Sequence, residues 1–333
     1  MNKRIGKHDF SICAIRPIAT PVFSPCATLT LILYRCVAGN GDQMQFGVNL
    51  LLWTAAFEPS HRPLLERIRS AGFDGVEVPM YKGRDFAAAA LRQSLAETQM
   101  DCTICSVLVE GLSLISEDSN IRSRALDQMR ENIAVSAEVG AKLIAGPMYA
   151  PVGYLPGRRR TEEEWKRGVE AWQQLAPCLD EHNVTAAIEP LNRFETYFLN
   201  TAADAAHFCD EINHPRIGVL FDTFHANIEE RDIAAGYRSL GRHLKHVHTC
   251  ENDRGTPGSG HVEWREVFEA LQELHYDGWL TIESFNGNLP EIAAATAIWR
   301  DLASPSESIA FEGIHFLKRM AAQFFPERLL NEG

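Results

Sequence analysis

Four side chains capable of metal binding and proton transfer recur at regular intervals in the second half of the chain. They are Glu189, Asp222, His248 and Glu283, and they are separated by 33, 26 and 35 residues. Each lies near the carboxyl end of a short apolar run, at 185–191, 217–223, 244–250 and 279–285. Three carboxylates and one imidazole suit Mn²⁺, Mg²⁺ or Co²⁺, and Zn²⁺ is also compatible. A polar group capped by a neighbouring loop would explain any one of them alone, but the repeated position favours a shared metal site.

The elements that would position these residues alternate along the chain from Met44 onward. Earlier apolar runs cover 45–53, 73–80, 102–108 and 141–148, and amphipathic stretches such as 119–139 and 264–274 predict helices between strands. Gly72, Gly140 and Gly278 stand where helices should end, and we expect left-handed backbone at each. Apolar strands that alternate with helices indicate parallel pairing with both sheet faces buried.

Eight such units predict an α/β fold, namely a (β/α)8 TIM barrel of about 250 residues. An open doubly wound sheet is the alternative, but no G-x-G-x-x-G follows the first strand to favour a Rossmann fold. Barrel chemistry sits at the carboxyl ends of the strands, so the four side chains should meet at one mouth. If these side chains were more than about 8 Å apart, they could not bind the same ion.

Other polar residues are expected near the same mouth. Of two histidines on the seventh strand, we expect His248 at the rim as the ligand and His246 one layer deeper in the core. Glu77 points toward the mouth from the second strand, where we predict a structural hydrogen-bonding role. Glu195, His225 and Arg254 follow the ligands on loops. A polyhydroxy substrate needs such partners, although a solvated loop position would explain each one singly.

Three segments carry a resemblance to a known family: IEPLNRFET at 188–196, FDTFHANIEE at 221–230 and HVHTCENDRGTPGSG at 246–260. They resemble the D-tagatose 3-epimerase and D-psicose (allulose) 3-epimerase family, within the xylose-isomerase-like barrels, and the resemblance covers 44–325. It implies one divalent ion per subunit, Mn²⁺ first, bound by Glu189, Asp222, His248 and Glu283. It also implies that Glu195, His225 and Arg254 hold sugar hydroxyls, and that 146–158 is the substrate-side loop after strand four.

The implied reaction inverts C3 of a free ketohexose or ketopentose. Glu189 and Glu283 would exchange protons on opposite faces of the carbon through a cis-enediolate, which a divalent cation stabilises as a Lewis acid. A sugar or cyclitol dehydratase, or another sugar isomerase, shares this metal core. Only Glu195, His225 and Arg254, which follow the metal ligands along the chain, distinguish the epimerase from these alternatives. A non-catalytic sugar-binding module is a further alternative, although it would not need two facing carboxylates.

Composition limits partners and compartment. The formal net charge is −12, which disfavours nucleic acid, and no apolar run is long enough to cross a membrane. The eight cysteines show no disulfide pattern, and Cys102 and Cys105 lie within a strand, so we expect reduced thiols and a cytoplasmic protein. Residues 1–43 are expected to be a disordered or mis-called extension, 44–326 one barrel domain and 327–333 a tail. The family resemblance implies a homodimer or homotetramer.

Overall fold

Eight parallel strands close into a barrel in the computed structural model, which describes residues 44–326. The expected extension 1–43 and tail 327–333 lie outside the described residues. The strands pair in chain order, and β1 closes the barrel on β8. The predicted TIM barrel is therefore confirmed. The strands are β1 Gln45–Asn49, β2 Gly75–Pro79, β3 Asp101–Cys105, β4 Leu143–Gly146, β5 Thr185–Ile188, β6 Ile217–Asp222, β7 Leu244–His248 and β8 Trp279–Ile282.

Ten α-helices accompany the strands in the described part of the chain. None of these helices is long and apolar enough to span a membrane. The helices are α1 Arg62–Ser70, α2 Ala88–Thr98, α3 Ser119–Val139, α4 Glu162–His182, α5 Ala202–Ile212, α6 Thr223–Glu229, α7 Ile233–Leu240, α8 Trp264–Glu273, α9 Pro290–Thr296 and α10 Ser308–Phe324.

Two of the three predicted helix-ending glycines have left-handed backbone. Gly72 has a φ of +99° and Gly140 a φ of +93°, each just beyond its helix. The prediction for Gly278 is wrong, because His275 takes the left-handed conformation after α8, with a φ of +53°. Gly278 is instead constrained by close packing, since a Cβ there would lie 2.5 Å from the Tyr276 hydroxyl oxygen.

The strands are shorter than the apolar runs that predicted them. The first run continues to 53, yet β1 ends at Asn49 and Leu50–Leu52 form a buried 3₁₀ turn. All three residues are buried, and Leu51 packs with Phe285, Ile292 and Ile298, so hydrophobicity alone does not mark the strand end. At the fifth run, Pro190 has no N–H to donate to a ladder, and β5 ends at Ile188.

The barrel interior combines apolar and polar side chains. Leu143, Ala145, Ala187 and Leu220 form a small buried cluster. Ala187 shares a strand face with Glu189, and Leu220 with Asp222, because side chains on a strand alternate between faces. Glu77, Thr103 and His246 are also fully enclosed, with at most 1% exposure. Buried polar groups at this depth require internal hydrogen-bond partners.

Replacing Gly140 by Ala tests the helix end without a packing change, because a Cβ there would meet nothing within 4 Å. We expect Gly140→Ala to lower the free energy of unfolding by about 1–2 kcal/mol, the cost of left-handed backbone for an L-residue. Urea denaturation measures this value. Ser123→Ala, at an exposed position within α3, is the control and should change stability by less than about 0.5 kcal/mol. Equal stability of Gly140→Ala and wild type would contradict the interpretation.

Candidate active site at the mouth of the barrel

The structure brings the four regularly spaced residues together at the carboxyl ends of β5 to β8. Glu189 and Glu283 each lie one residue beyond their strands, and Asp222 and His248 are the last residues of theirs. One ligand atom from each of the four lies within 4.8 Å of the others, and all four residues are buried. His248 Nδ1 lies 3.3 Å from Glu283 Oε2 and 3.8 Å from Asp222 Oδ2.

Two unsatisfied atoms in this cluster support a cation as its occupant. Glu189 Oε1 and His248 Nδ1 are buried and have no hydrogen-bond partner among residues 44–326. They are 3.9 Å apart, so both face the same small space. Ligands on opposite sides of a cation with bonds of about 2.1–2.4 Å lie about 4.2–4.8 Å apart. The donor set and its spacing therefore fit one divalent ion.

The carboxyl groups of Glu189 and Glu283 experience different environments. Burial and the neighbouring Glu283 carboxylate raise the pKa of Glu189. Burial also disfavours ionisation of Glu283, but His248 and Arg254 outweigh it and lower the pKa of Glu283. At Asp222, Arg254 together with His248 and His225 outweighs burial and lowers the pKa. A pair of acids with pKa values shifted apart is suited to exchange roles as proton donor and acceptor.

Arg254 lies deeper than its loop position implied. Its Nη1 donates to Asp222 Oδ2 and to Glu283 Oε2, each at 2.7 Å. The guanidinium also lies over the rings of Phe224 and Phe285, at 4.2 and 5.0 Å from the ring centroids. Two carboxylates and two aromatic faces thus fix the planar cation, an arrangement that a lysine ammonium could not reproduce.

Asn192 links His225 and Glu195 at the same mouth, and His225 lies beside Arg254. His225 Nε2 lies 3.2 Å from Arg254 Nη2 and 3.6 Å from Glu189 Oε1. Asn192 donates its backbone N–H to His225 Nδ1 at 3.1 Å and its side-chain amide to Glu195 Oε1 at 2.7 Å. The structure therefore brings the three residues into one connected group, but the loop position predicted for His225 is wrong, because His225 lies in the first turn of α6. Sequence reasoning did not single out Asn192, although it lies within the quoted 188–196 segment.

A second residue that sequence reasoning missed, Glu251, organises the loop that carries Arg254. Glu251 is fully buried, and Arg254 has left-handed backbone with a φ of +66°. Glu251 accepts hydrogen bonds at 2.8–3.2 Å from the backbone N–H groups of Asn252, Gly258 and Val262 and from Trp264 Nε1. The sequence does not indicate this role for Glu251, because the donor groups come close to it only when the loop is folded.

Replacing Glu251 by Gln tests this loop support. The amide NH₂ would confront two of the four donors, and unmatched buried donors cost about 1–3 kcal/mol. We expect Glu251→Gln to lower the free energy of unfolding by that amount and to accelerate hydrogen exchange at the Gly258 and Val262 amides. Glu263→Gln, at an exposed position after the same loop, is the control. Unchanged exchange in Glu251→Gln would show that the carboxylate does not hold the loop.

Comparison with known proteins identifies the family. A family model described as the xylose isomerase-like TIM barrel matches residues 65–320. The chain belongs to this family. A Synechocystis protein named a probable ketose 3-epimerase is 34% identical over 280 residues, which cover 84% of this chain and 98% of that protein. The D-psicose 3-epimerase of Ruminiclostridium cellulolyticum is 28% identical, covering 79% of this chain and 92% of that protein.

A solved structure is also similar to this chain over most of the length of both proteins. The D-allulose 3-epimerase from Methylomonas sp., crystallised with D-allulose, has a TM-score of 0.80 and 27% identity. The match covers 84% of this chain and 98% of that one. The resemblance inferred from the three sequence segments is confirmed.

Proposed function

We propose that this chain is an isomerase, a metal-dependent ketose 3-epimerase that inverts C3 of a free ketohexose or ketopentose by two-base proton exchange. The observation that carries the proposal is the buried cluster of Glu189, Asp222, His248 and Glu283, with two of its atoms unsatisfied. Near full-length similarity to proteins named ketose and D-psicose 3-epimerases supports it.

In this proposal all four clustered residues would bind the cation, and Glu189 and Glu283 would also move protons. Glu189 and Glu283 extend from strands three positions apart around the barrel and would exchange protons with C3 from opposite faces of the sugar. Asp222 and His248 would hold the cation without moving protons. The bound cation supplies Lewis acidity, which stabilises negative charge on the sugar oxygens during proton removal. The opposed pKa shifts of the two glutamates support their pairing.

Glu195, His225 and Arg254 would bind the sugar hydroxyls. A cavity of about 470 Å³ is bordered by Pro151 and Tyr154 of the loop after β4 and by Tyr197, and none of the proposed metal or sugar ligands lines it. An unphosphorylated sugar is favoured, because the Arg254 guanidinium contacts two carboxylates and the loop N–H groups of Gly258 and Val262 donate to Glu251.

The dehydratase alternative is not favoured, because the relatives that match almost end to end are named as 3-epimerases. We propose Mn²⁺ as the ion, since oxygen-rich ligation with one imidazole suits it. The buried thiols of Cys102 and Cys105 are free, which supports the proposed cytoplasmic location. The homodimer or homotetramer implied by the family resemblance stays a prediction.

Replacing either proposed base should abolish proton exchange. We expect Glu189→Gln and Glu283→Gln to slow C3 epimerisation of D-fructose, D-tagatose or L-ribulose by about 10²–10⁴-fold, the usual contribution of a general acid or base. Nuclear magnetic resonance in D₂O would follow deuterium entry at C3. Glu138→Gln, on the exposed surface of α3, is the control and should retain wild-type rates. Exchange that persists in both active-site variants would exclude the two-base assignment.

Removing the metal should remove activity and lower stability. Dialysis against a chelator is expected to abolish turnover, and Mn²⁺ at 100 times its dissociation constant should stabilise the fold by about 2.7 kcal/mol. Asp222→Asn should weaken binding measured by calorimetry, because it removes one ligand charge. Full activity in protein shown to be metal-free by elemental analysis would contradict metal dependence.

A further inference from the structure

A buried carboxylate in the barrel, Glu77, contacts one of the proposed metal ligands directly. Glu77, in the middle of β2, has no exposed surface. Its Oε1 accepts from Asn49 Nδ2 at 2.9 Å and lies 2.7 Å from His248 Nε2. Its Oε2 accepts from Thr103 Oγ1 at 3.0 Å and lies 2.8 Å from His246 Nε2.

These contacts determine which nitrogen of His248 faces the mouth. An ionised carboxylate can only accept hydrogen bonds, so the imidazole must carry its proton on Nε2 to donate to Glu77. The unprotonated Nδ1 then faces Glu189, Asp222 and Glu283 as a lone-pair donor. Both oxygens of Glu77 face donors, Asn49 Nδ2 at Oε1 and Thr103 Oγ1 at Oε2, which suits the ionised, acceptor-only form.

Asn49 extends the same support to Glu283. Its Oδ1 accepts the Leu51 backbone N–H at 3.0 Å, which fixes the orientation of the amide. Its Nδ2 therefore faces two carboxylates and donates to Glu77 Oε1 at 2.9 Å and to Glu283 Oε1 at 3.2 Å. Because Asn49 donates to Oε1 of Glu283, Oε2 is the oxygen that faces His248 Nδ1.

We propose that Glu77 is a positioning residue for the metal centre. It fixes the tautomer and ring orientation of His248 directly and the orientation of Glu283 through Asn49. This inference rests on the proposed metal-dependent function. Outer hydrogen-bond partners of this kind typically contribute 10–100-fold to metal affinity or activity.

Three substitutions separate the hydrogen-bond acceptor from the charge and the side-chain length. Glu77→Met fills a similar volume and removes the acceptor, so we expect Mn²⁺ affinity to fall by about 10–100-fold. Glu77→Gln retains an amide oxygen that can face Asn49 and His248, so its affinity should lie closer to wild type. Glu77→Asp retains the charge but withdraws it by one methylene, and its affinity should fall as in Glu77→Met.

Calorimetric titration with Mn²⁺ measures the affinity, and the visible absorption of bound Co²⁺ reports the ligand geometry. We expect altered Co²⁺ spectra for Glu77→Met and Glu77→Asp and a near wild-type spectrum for Glu77→Gln. Thr103→Val is the matched control, because it also removes a buried hydrogen bond to Glu77 but touches no proposed ligand. It should lower thermal stability while its Mn²⁺ affinity stays within about threefold of wild type.

The outcomes distinguish this inference from the proposed function. If wild type binds no metal and epimerises no ketose, the proposed function is wrong, and this inference fails with it. If wild type binds Mn²⁺ and is active while Glu77→Met binds Mn²⁺ within about threefold of wild type, only the positioning role of Glu77 is overturned. Glu77→Asp decides in the same way if Glu77→Met does not fold.

Discussion

Three carboxyl groups lie within 4.8 Å of one another in a buried part of the barrel. Their mutual repulsion must be offset by nearby positive charge. Two like charges at 4 Å repel by about 4 kcal/mol at the effective dielectric of a protein surface, and burial adds a desolvation cost. Within the described residues, Arg254 and His248 oppose this repulsion by lowering the pKa of Glu283. The loop that places this guanidinium has left-handed backbone at Arg254 and is held by the buried Glu251.

Much of this arrangement is encoded in spacing and could be predicted. A closed parallel barrel places successive strand ends side by side, so acids and a histidine recurring once per unit must converge. Helix α3 was also predicted with its observed bounds, since its apolar positions are periodic and Gly140 follows it. Strand ends were placed too late, as at β1, because residues beyond the strand such as Leu51 are apolar and pack against later parts of the chain. The prediction of left-handed backbone at Gly278 failed for a related reason. A glycine required by packing looks the same in sequence as one required by backbone conformation.

The supporting network could not be read from the sequence, because its members are distant along the chain and have no local pattern. Glu77 lies 171 residues from His248, and Asn49 lies 234 residues from Glu283. Glu77 was assigned a structural hydrogen-bonding role, and nothing in its own strand indicates which side chains it meets. Three of the four donors to Glu251 are backbone N–H groups, which every residue except proline offers, so these partners carry no signature in residue type. Asn192 donates to His225, which lies 33 residues away.

The amide of Asn49, which is shared between Glu77 and Glu283, has a consequence for redesign of this enzyme. Residues that share hydrogen-bond partners respond to substitution jointly, so the effects of changes within the barrel interior will not add. Loop residues such as Tyr154, which is largely exposed at the rim, have no such shared partners among the strand-end acids. A library that aims to alter sugar preference while keeping the chemistry intact is therefore best confined to exposed rim positions such as Tyr154, and it should leave out the loop residue Arg254, which contacts Asp222 and Glu283.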